Sequence, residues 1–499
     1  MMLAYIKKSL FVCWLMALVI EPSAAIGDDP IRQGMQSYNK HHYEDAADTL
    51  LGHMSLAEPS QQGKLYLGLG MTCLASAQVY RELHRTAVSV QLDYLSKLLA
   101  SDKKDGSHYA KLYLGRTLLE SGKPAEAAVL LSACIEDKKI EPRDRSLAKI
   151  TLASSYYLQG KDKKADELWG TVETADPEVL SELAAAYSRL GLADRQPLGM
   201  GEQIRQLMKQ SHKDASIRLT NNLITVYARE GQIDKGLHLI KSTDLSAFFY
   251  EENLDKNKVV RFYDPSLLEN LAVFYGRASL EYLKKAAVDA KVKGVAQYYL
   301  ADAHAQFGSI DESIEILDGA LASGLIPASY RERAEVFQSV TRSWKRGRRQ
   351  TTTHFENTSW QNKEPHVLAD TLLICSRLRL ECSDIVSKAS TLVGARGGKT
   401  FETVHYALGN YYLWKHRYEE AIACMETARD KSNKNKIEHN DPLMLINLAE
   451  AYYRSKRFSE ALEIYFGMRD QFPAVRQIQV CMQGVYAMEQ KSAGDAKLF

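Results

Sequence analysis

None of the short signatures that usually announce catalysis occurs in this chain: H-E-x-x-H, G-x-S-x-G and paired-cysteine metal spacings are all missing. That removes the familiar zinc peptidases, hydrolases and zinc ribbons and leaves no catalytic, metal or cofactor residue to nominate. Charge of one sign is also missing. The 64 Lys and Arg nearly balance the 62 Asp and Glu for a net +2, whereas a general nucleic-acid binder carries a clear basic excess. Beyond residue 20 no apolar run is long enough to cross a bilayer. Cysteines are sparse and scattered after residue 25, at Cys73, Cys134, Cys375, Cys382, Cys424 and Cys481, with no C-x-x-C pair. Most read as small buried helical residues, with one long-range disulfide left open for an oxidising compartment. Cys375 and Cys382 on a single helix would stand about 10 Å apart along its axis, too far to bridge.

The first 25 residues have a different character. Lys7 and Lys8 precede an apolar run from Leu10 to Ile20, Glu21 and Pro22 break it, and Ser23-Ala24-Ala25 supplies small residues. This is the layout of a cleavable secretory signal cut after Ala25, with an uncleaved anchor as its rival. The mature chain is therefore expected in an extracytoplasmic space, the periplasm.

What the rest of the chain does contain is a ruler. In "HYALGNYYLWKHRYEEAIACMETA", from His405 to Ala428, apolar and small residues recur at helical spacing, break at Lys415-His416-Arg417, and recur again. Counting from Gly409 finds Tyr412 at +3, Ala421 at +12 and Ala428 at +19. The count from Ala449 finds Tyr452, Ala461, Tyr465 and, at +24, Pro473; from Ala153 it finds Tyr156, Gly160, Ala165, Trp169 and Pro177. Gly115, Ala301 and Gly34 start further matches. Small residues at the first and +12 positions let two helices cross closely. Glycine near +7 ends the first helix, and proline at +24 stops the second.

The pattern resembles the tetratricopeptide repeat, a helix-turn-helix unit of about 34 residues. The resemblance is best over 108–192, 293–328 and 403–490, weak over 61–100 and 200–240, and broken at 242–266 and 345–365. It implies an all-α fold of stacked helix pairs forming a right-handed superhelical solenoid in two or three arrays. The expected division is a signal at 1–25, an N-terminal array at 26–241, an irregular connector and helices at 242–290, a repeat-like unit at 291–344, a basic and polar linker at 345–366, a C-terminal array at 367–490 and a tail at 491–499.

Two stretches tempt a chemical reading. Gly394-Ala-Arg-Gly-Gly-Lys-Thr400 is one residue short of a Walker A loop and follows a helical pattern instead of a strand, so it is expected to be an inter-helix joint. The adjacent acids Glu44-Asp45 and Glu419-Glu420 sit at the start of second helices, where negative charge suits the dipole.

In proteins with this repeat, ligands lie against the first helices. Carried over from the resemblance, the groove positions are Arg116, Glu120, Tyr157, Tyr298, Asp302, Tyr406, Asn410, Trp414, Glu450, Tyr453 and Arg454. A separate basic cluster, Arg342, Lys345, Arg346, Arg348 and Arg349, could face anions such as polysaccharide or lipid head groups. The resulting expectation is a non-catalytic interaction scaffold of the bacterial cell envelope. It would bind other envelope proteins or extended peptides, with no nucleic acid, no small-molecule substrate and no cofactor. A component of polysaccharide or pilus export is the rival role, and an unrecognised enzyme a remoter one.

Overall fold

One turn geometry recurs along the chain, and it sets the register of everything around it. His41, Gly122, Gly160, Gly191, Gly231, Arg379, His416 and Lys456 all have left-handed backbone, with φ between 52° and 76°. In each case the next residue's amide donates back across the turn to the residue four before the left-handed one, at 2.9–3.0 Å: His42 to Ser37, Lys123 to Leu118, Lys161 to Tyr156, Leu192 to Tyr187, Gln232 to Tyr227, Leu380 to Cys375, Arg417 to Tyr412 and Arg457 to Tyr452. This is the Schellman closure of a helix C-terminus. It falls seven residues after the position that opens the ruler at Gly34, Gly115, Ala153, Gly409 and Ala449. Four of the eight turns use a residue other than glycine, which is why a search for glycine missed the one at Arg379.

The computed structural model describes residues 30–101, 108–173, 176–192, 200–210, 213–245, 250–255, 258–262, 266–347, 365–395, 402–429 and 440–496. The leader and the tail from residue 497 lie outside them. Helix pairs joined by these turns pack face to face: Pro30–Asn39 on Tyr43–Met54, His108–Glu120 on Pro124–Glu136, Pro142–Leu158 on Asp162–Trp169, Glu402–Trp414 on Tyr418–Ala428, and Pro442–Arg454 on Phe458–Met468. The small opening residue is there for contact. A Cβ added at Gly34, Gly115 or Gly409 would come within 2.6–2.7 Å of Leu50, Leu131 or Met425, each at +16 on the second helix. Ala46, Ala127, Ala165, Ala421 and Ala461, at +12, have no exposure at all. The all-α, stacked-repeat expectation therefore holds in the register read from the sequence.

The chain divides into two compact units, each built from discontinuous segments. The first comprises Tyr80–Phe274 with Phe472–Phe499. In it the C-terminal helix Arg476–Ala496 returns to the second half of the long helix Pro59–Ser101, where Lys97 meets Glu489 at 2.8 Å and Gly484 leaves room for the Tyr94 ring. The second, in its described part, comprises residues 30–79 with Tyr275–Gln471. Each unit joins segments far apart in the chain, returns of a kind that a ruler counting neighbours does not register.

The weak ruler over 61–100 has a physical reason. From Leu67 to Val79 every residue of the helix is buried, Thr72, Ser76 and Gln78 included. A helix enclosed on all sides has no polar face to pattern. Within the second unit its neighbours include Leu283, which a Cβ at Gly70 would strike at 2.5 Å, Tyr282 stacked on Tyr66 at 6.3 Å, and Met35 and Leu50 beside Gly68.

Two expectations need correction. The break at 242–266 contains an antiparallel hairpin, Tyr250–Asp255 paired with Lys258–Phe262, with Tyr250 opposite Phe262 and a register shift between Asn253 and Asp255. Val259, Val260 and Phe262 favour extended backbone, so the all-α description has this one exception among the described residues. Cys375 and Cys382 do form a disulfide, with Cα atoms 6.6 Å apart. The single-helix assumption fails because helix Pro365–Leu378 ends between them and the chain reverses at Arg379 (φ 52°) before Ser383–Ala395 begins. The bridge spans the turn that five other repeats close with a tyrosine at this same +3 position, namely Tyr156, Tyr187, Tyr227, Tyr412 and Tyr452. Closing so short a loop constrains the unfolded chain by about 2.5 kcal/mol. Reduction, or a Cys375→Ser/Cys382→Ser double variant, is expected to lower the unfolding free energy of the second unit by about that amount in urea titrations with and without dithiothreitol. An unchanged midpoint would show that the two sulfurs are not joined.

Candidate functional site

The groove positions carried over from the resemblance do not all reach the surface. Tyr298 (1% exposed) and Asp302 (0%) lie inside the second unit. The Tyr298 ring meets Tyr330 edge-on at 5.3 Å and Phe337 at 6.4 Å, and Asp302 accepts from Gln306 Nε2 at 2.8 Å. The first helix brings Tyr38 to this cluster: burial, then the nearby Tyr330, Asp441 and Asp302, push its hydroxyl well above the ordinary tyrosine range. Tyr406 and Tyr453 are also buried. Tyr157 is half-buried against Trp169 at 6.0 Å.

Partly exposed groove positions gather on the C-terminal array. Helix Glu402–Trp414 supplies Asn410 and Trp414, and helix Pro442–Arg454 supplies Glu450 and Arg454. Asn447 organises them. Its Nδ2 donates to Asn410 Oδ1 at 2.9 Å and to the Tyr406 hydroxyl at 3.2 Å, tying one first helix to the next. Trp414 packs edge-on against Tyr411 at 5.3 Å, with Lys415 Nζ 4.9 Å from its ring. Glu450 and Arg454 stand 3.9 Å apart. Behind this face the turns are braced alike: Arg417 lies over Tyr412 at 4.7 Å and Arg457 over Tyr452 at 4.5 Å, as Lys161 does over Tyr156 at 5.8 Å. The array thus presents amide, indole, carboxylate and guanidinium groups on a stiff support.

Arg116 and Glu120 fall in the first unit, at a shallow open cleft. Its lining includes Thr151, Ser154, Glu182 and Arg189. Glu182 Oε1 accepts from Arg116 Nη2 at 2.6 Å and from Arg189 Nη2 at 2.8 Å. Burial alone would raise the Glu182 carboxyl, but the two guanidiniums outweigh it and hold it down at about 2. A second set continues nearby: Glu178 meets Arg218 at 3.0 Å, Arg143 meets Asp144 at 3.2 Å, and Arg218 Nη2 donates to the Tyr113 hydroxyl at 3.2 Å. Sequence reading missed Glu182 and Arg189, yet a signal existed. Gly191 marks a turn, and counting back places Ala184 at the first position and Arg189 at +5, the groove offset of Glu120, Trp414 and Arg454.

The basic cluster is partly neutralised. Arg342 pairs with Asp318 at 2.7 Å and Lys345 with Asp311 at 2.5 Å, while Arg346 is exposed at the end of helix Ala328–Arg346. Arg348 and Arg349 lie outside the described residues, as does 396–400 of the glycine-rich stretch. Gly394 is exposed near the end of a helix. Glu44, Asp45, Glu419 and Glu420 occupy first turns of second helices, as expected.

These observations define a helical-repeat protein whose surface chemistry suits recognition. The tetratricopeptide-repeat family model matches residues 400–465, which hold the array just described, and a PPR-repeat model matches 219–242. Residues 400–465 therefore match a tetratricopeptide repeat in sequence as well as in geometry. No curated protein matches it in sequence. Among solved structures, the crystal structure of the yeast Tom70 is similar over 93% of this chain and 96% of that one, at 12% identity and a TM-score of 0.32. The APC/C hetero-tetramer Cut9–Hcn1 is similar over 91% and 95%, at 12% identity and 0.28. The P58(IPK) TPR domain covers 77% of this chain and 99% of its own, at 14% and 0.20. Likeness at that level adds nothing to the repeat geometry itself.

Proposed function

We propose that the protein is an exported interaction scaffold that binds a protein partner on the face shared by helices Glu402–Trp414 and Pro442–Arg454. The observation that carries this reading is the grouping of Asn410, Trp414, Glu450 and Arg454 on adjoining first helices of the matched repeats, each with some exposure. A tryptophan and an arginine on a preformed support are the residue types that dominate binding energy at protein interfaces, and a stiff support lowers the ordering cost of docking. An extended segment would lie along Trp414 and alternate hydrogen bonds between the amide and charged groups. Recognition of this kind needs no catalytic group.

Export is supported by the leader and by the Cys375–Cys382 bridge, since disulfides persist in oxidising compartments and are rare in the cytosol. Among the described residues no helix is long and apolar enough to cross a membrane. The bacterial envelope is the compartment the leader favours. The anionic-polymer role loses weight because Asp318 and Asp311 already pair with two of the basic residues.

A photo-crosslinking amino acid placed at Trp414 is expected to capture a discrete partner in intact cells, and the same probe at exposed Val129 (72%) to capture none. Equal labelling from both positions, or none from Trp414, would remove the assignment of this face.

A further inference from the structure

Three helices of the first unit converge on a group the repeat pattern does not explain. His84 comes from Pro59–Ser101, Glu120 from His108–Glu120 and Glu269 from Ser266–Ala286. One donor atom from each lies within 4.8 Å of the others, and His84 Nε2 stands 3.8 Å from Glu120 Oε2. We propose that His84, Glu120 and Glu269 form a binding site for a first-row divalent metal ion, with zinc as the type case.

Two independent observations point to a ligand here. His84 Nε2 is buried with no hydrogen-bond partner, a cost that coordination would relieve. Glu120 also lines the open cleft, so an ion has a route in and a position for water or a partner group. Arg189, which lines the same cleft as Glu120, has its Nη2 committed to Glu182. The donor set also selects the ion: imidazole nitrogen suits zinc and its first-row neighbours, whereas calcium and magnesium prefer oxygen alone. Bound there, the ion would join three helices from distant parts of the chain, as metal sites do in helix bundles.

The test uses the full mature chain, stripped with chelator and passed through gel filtration with zinc chloride. The expected result is about one zinc retained per chain and a thermal midpoint raised by about 4 °C. Glu269→Gln keeps the size of the side chain, and His84→Ala removes the nitrogen. Each is expected to weaken zinc binding at least tenfold while the metal-free circular dichroism stays as in the wild type. Failure to retain zinc, undiminished binding in the double variant, or calcium and magnesium binding as well as zinc would each overturn the site. Partner capture at Trp414 is read separately, so neither result decides the other.

Discussion

Ala421→Trp is expected to unfold the C-terminal array or leave it loosely packed. Ala421 has no exposure, and its carbonyl oxygen lies only 3.2 Å from where a Cβ on Gly409 would stand. Two backbones therefore approach each other directly at this crossing, and an indole has nowhere to go but between them. Overpacking of this kind costs about 3 kcal/mol or more when backbone must move. Urea unfolding should show an early transition, and amides of helices Glu402–Trp414 and Tyr418–Ala428 should lose their exchange protection. The matched control is Ala423→Trp, two residues on and exposed, where the change should stay within about 0.5 kcal/mol. If the two variants unfold alike, the small-residue crossing does not hold the array together.

The second large effect belongs to Glu182. Replacement by Gln keeps the shape but leaves Arg116, with a side chain 6% exposed, and Arg189, at 19%, without their shared carboxylate. Breaking a buried pair from one side typically costs about 3–5 kcal/mol. The pH dependence carries a distinct signature. The folded-state pKa is depressed, from 4.5 to about 2, so the stabilisation is present in full above the unfolded value and is lost as pH falls from there through about 2. The stability difference between wild type and Glu182→Gln should therefore be constant from neutral pH down to about 5 and shrink below that. A difference that stayed flat down to pH 2 would mean that Glu182 is not ionised against the two arginines.

How much of this was legible depended on the range of the interaction responsible. Turn register was legible, because the small residue at Gly409, the turn at His416 and Ala421 are fixed by contacts within one helix pair. The disulfide was not, because Arg379 adopts left-handed backbone without being glycine, and the helix end between the two cysteines left no mark. Groove offsets could be counted in the sequence, but burial could not: Asp302 stands at the same offset as Asn410, yet Asp302 is enclosed, with Tyr38 brought near it from far along the chain, while Asn410 keeps some exposure. His84 and Glu269 could not have been found at all, since they sit on helices that keep no ruler and meet only through the fold.

The enclosed stretch from Leu67 to Val79 has a consequence for how the chain comes into being. Its covering residues Tyr282 and Leu283 lie more than two hundred positions later, and at typical synthesis rates of about 5–20 residues per second they emerge ten seconds or more afterwards. For that interval a nascent polypeptide exposes a sticky rod it cannot yet sheathe. Unlike an open-ended row of modules, which can ripen piece by piece, the second unit has to be finished before this early helix is sheathed, and the unfinished chain is most prone to stick during that interval.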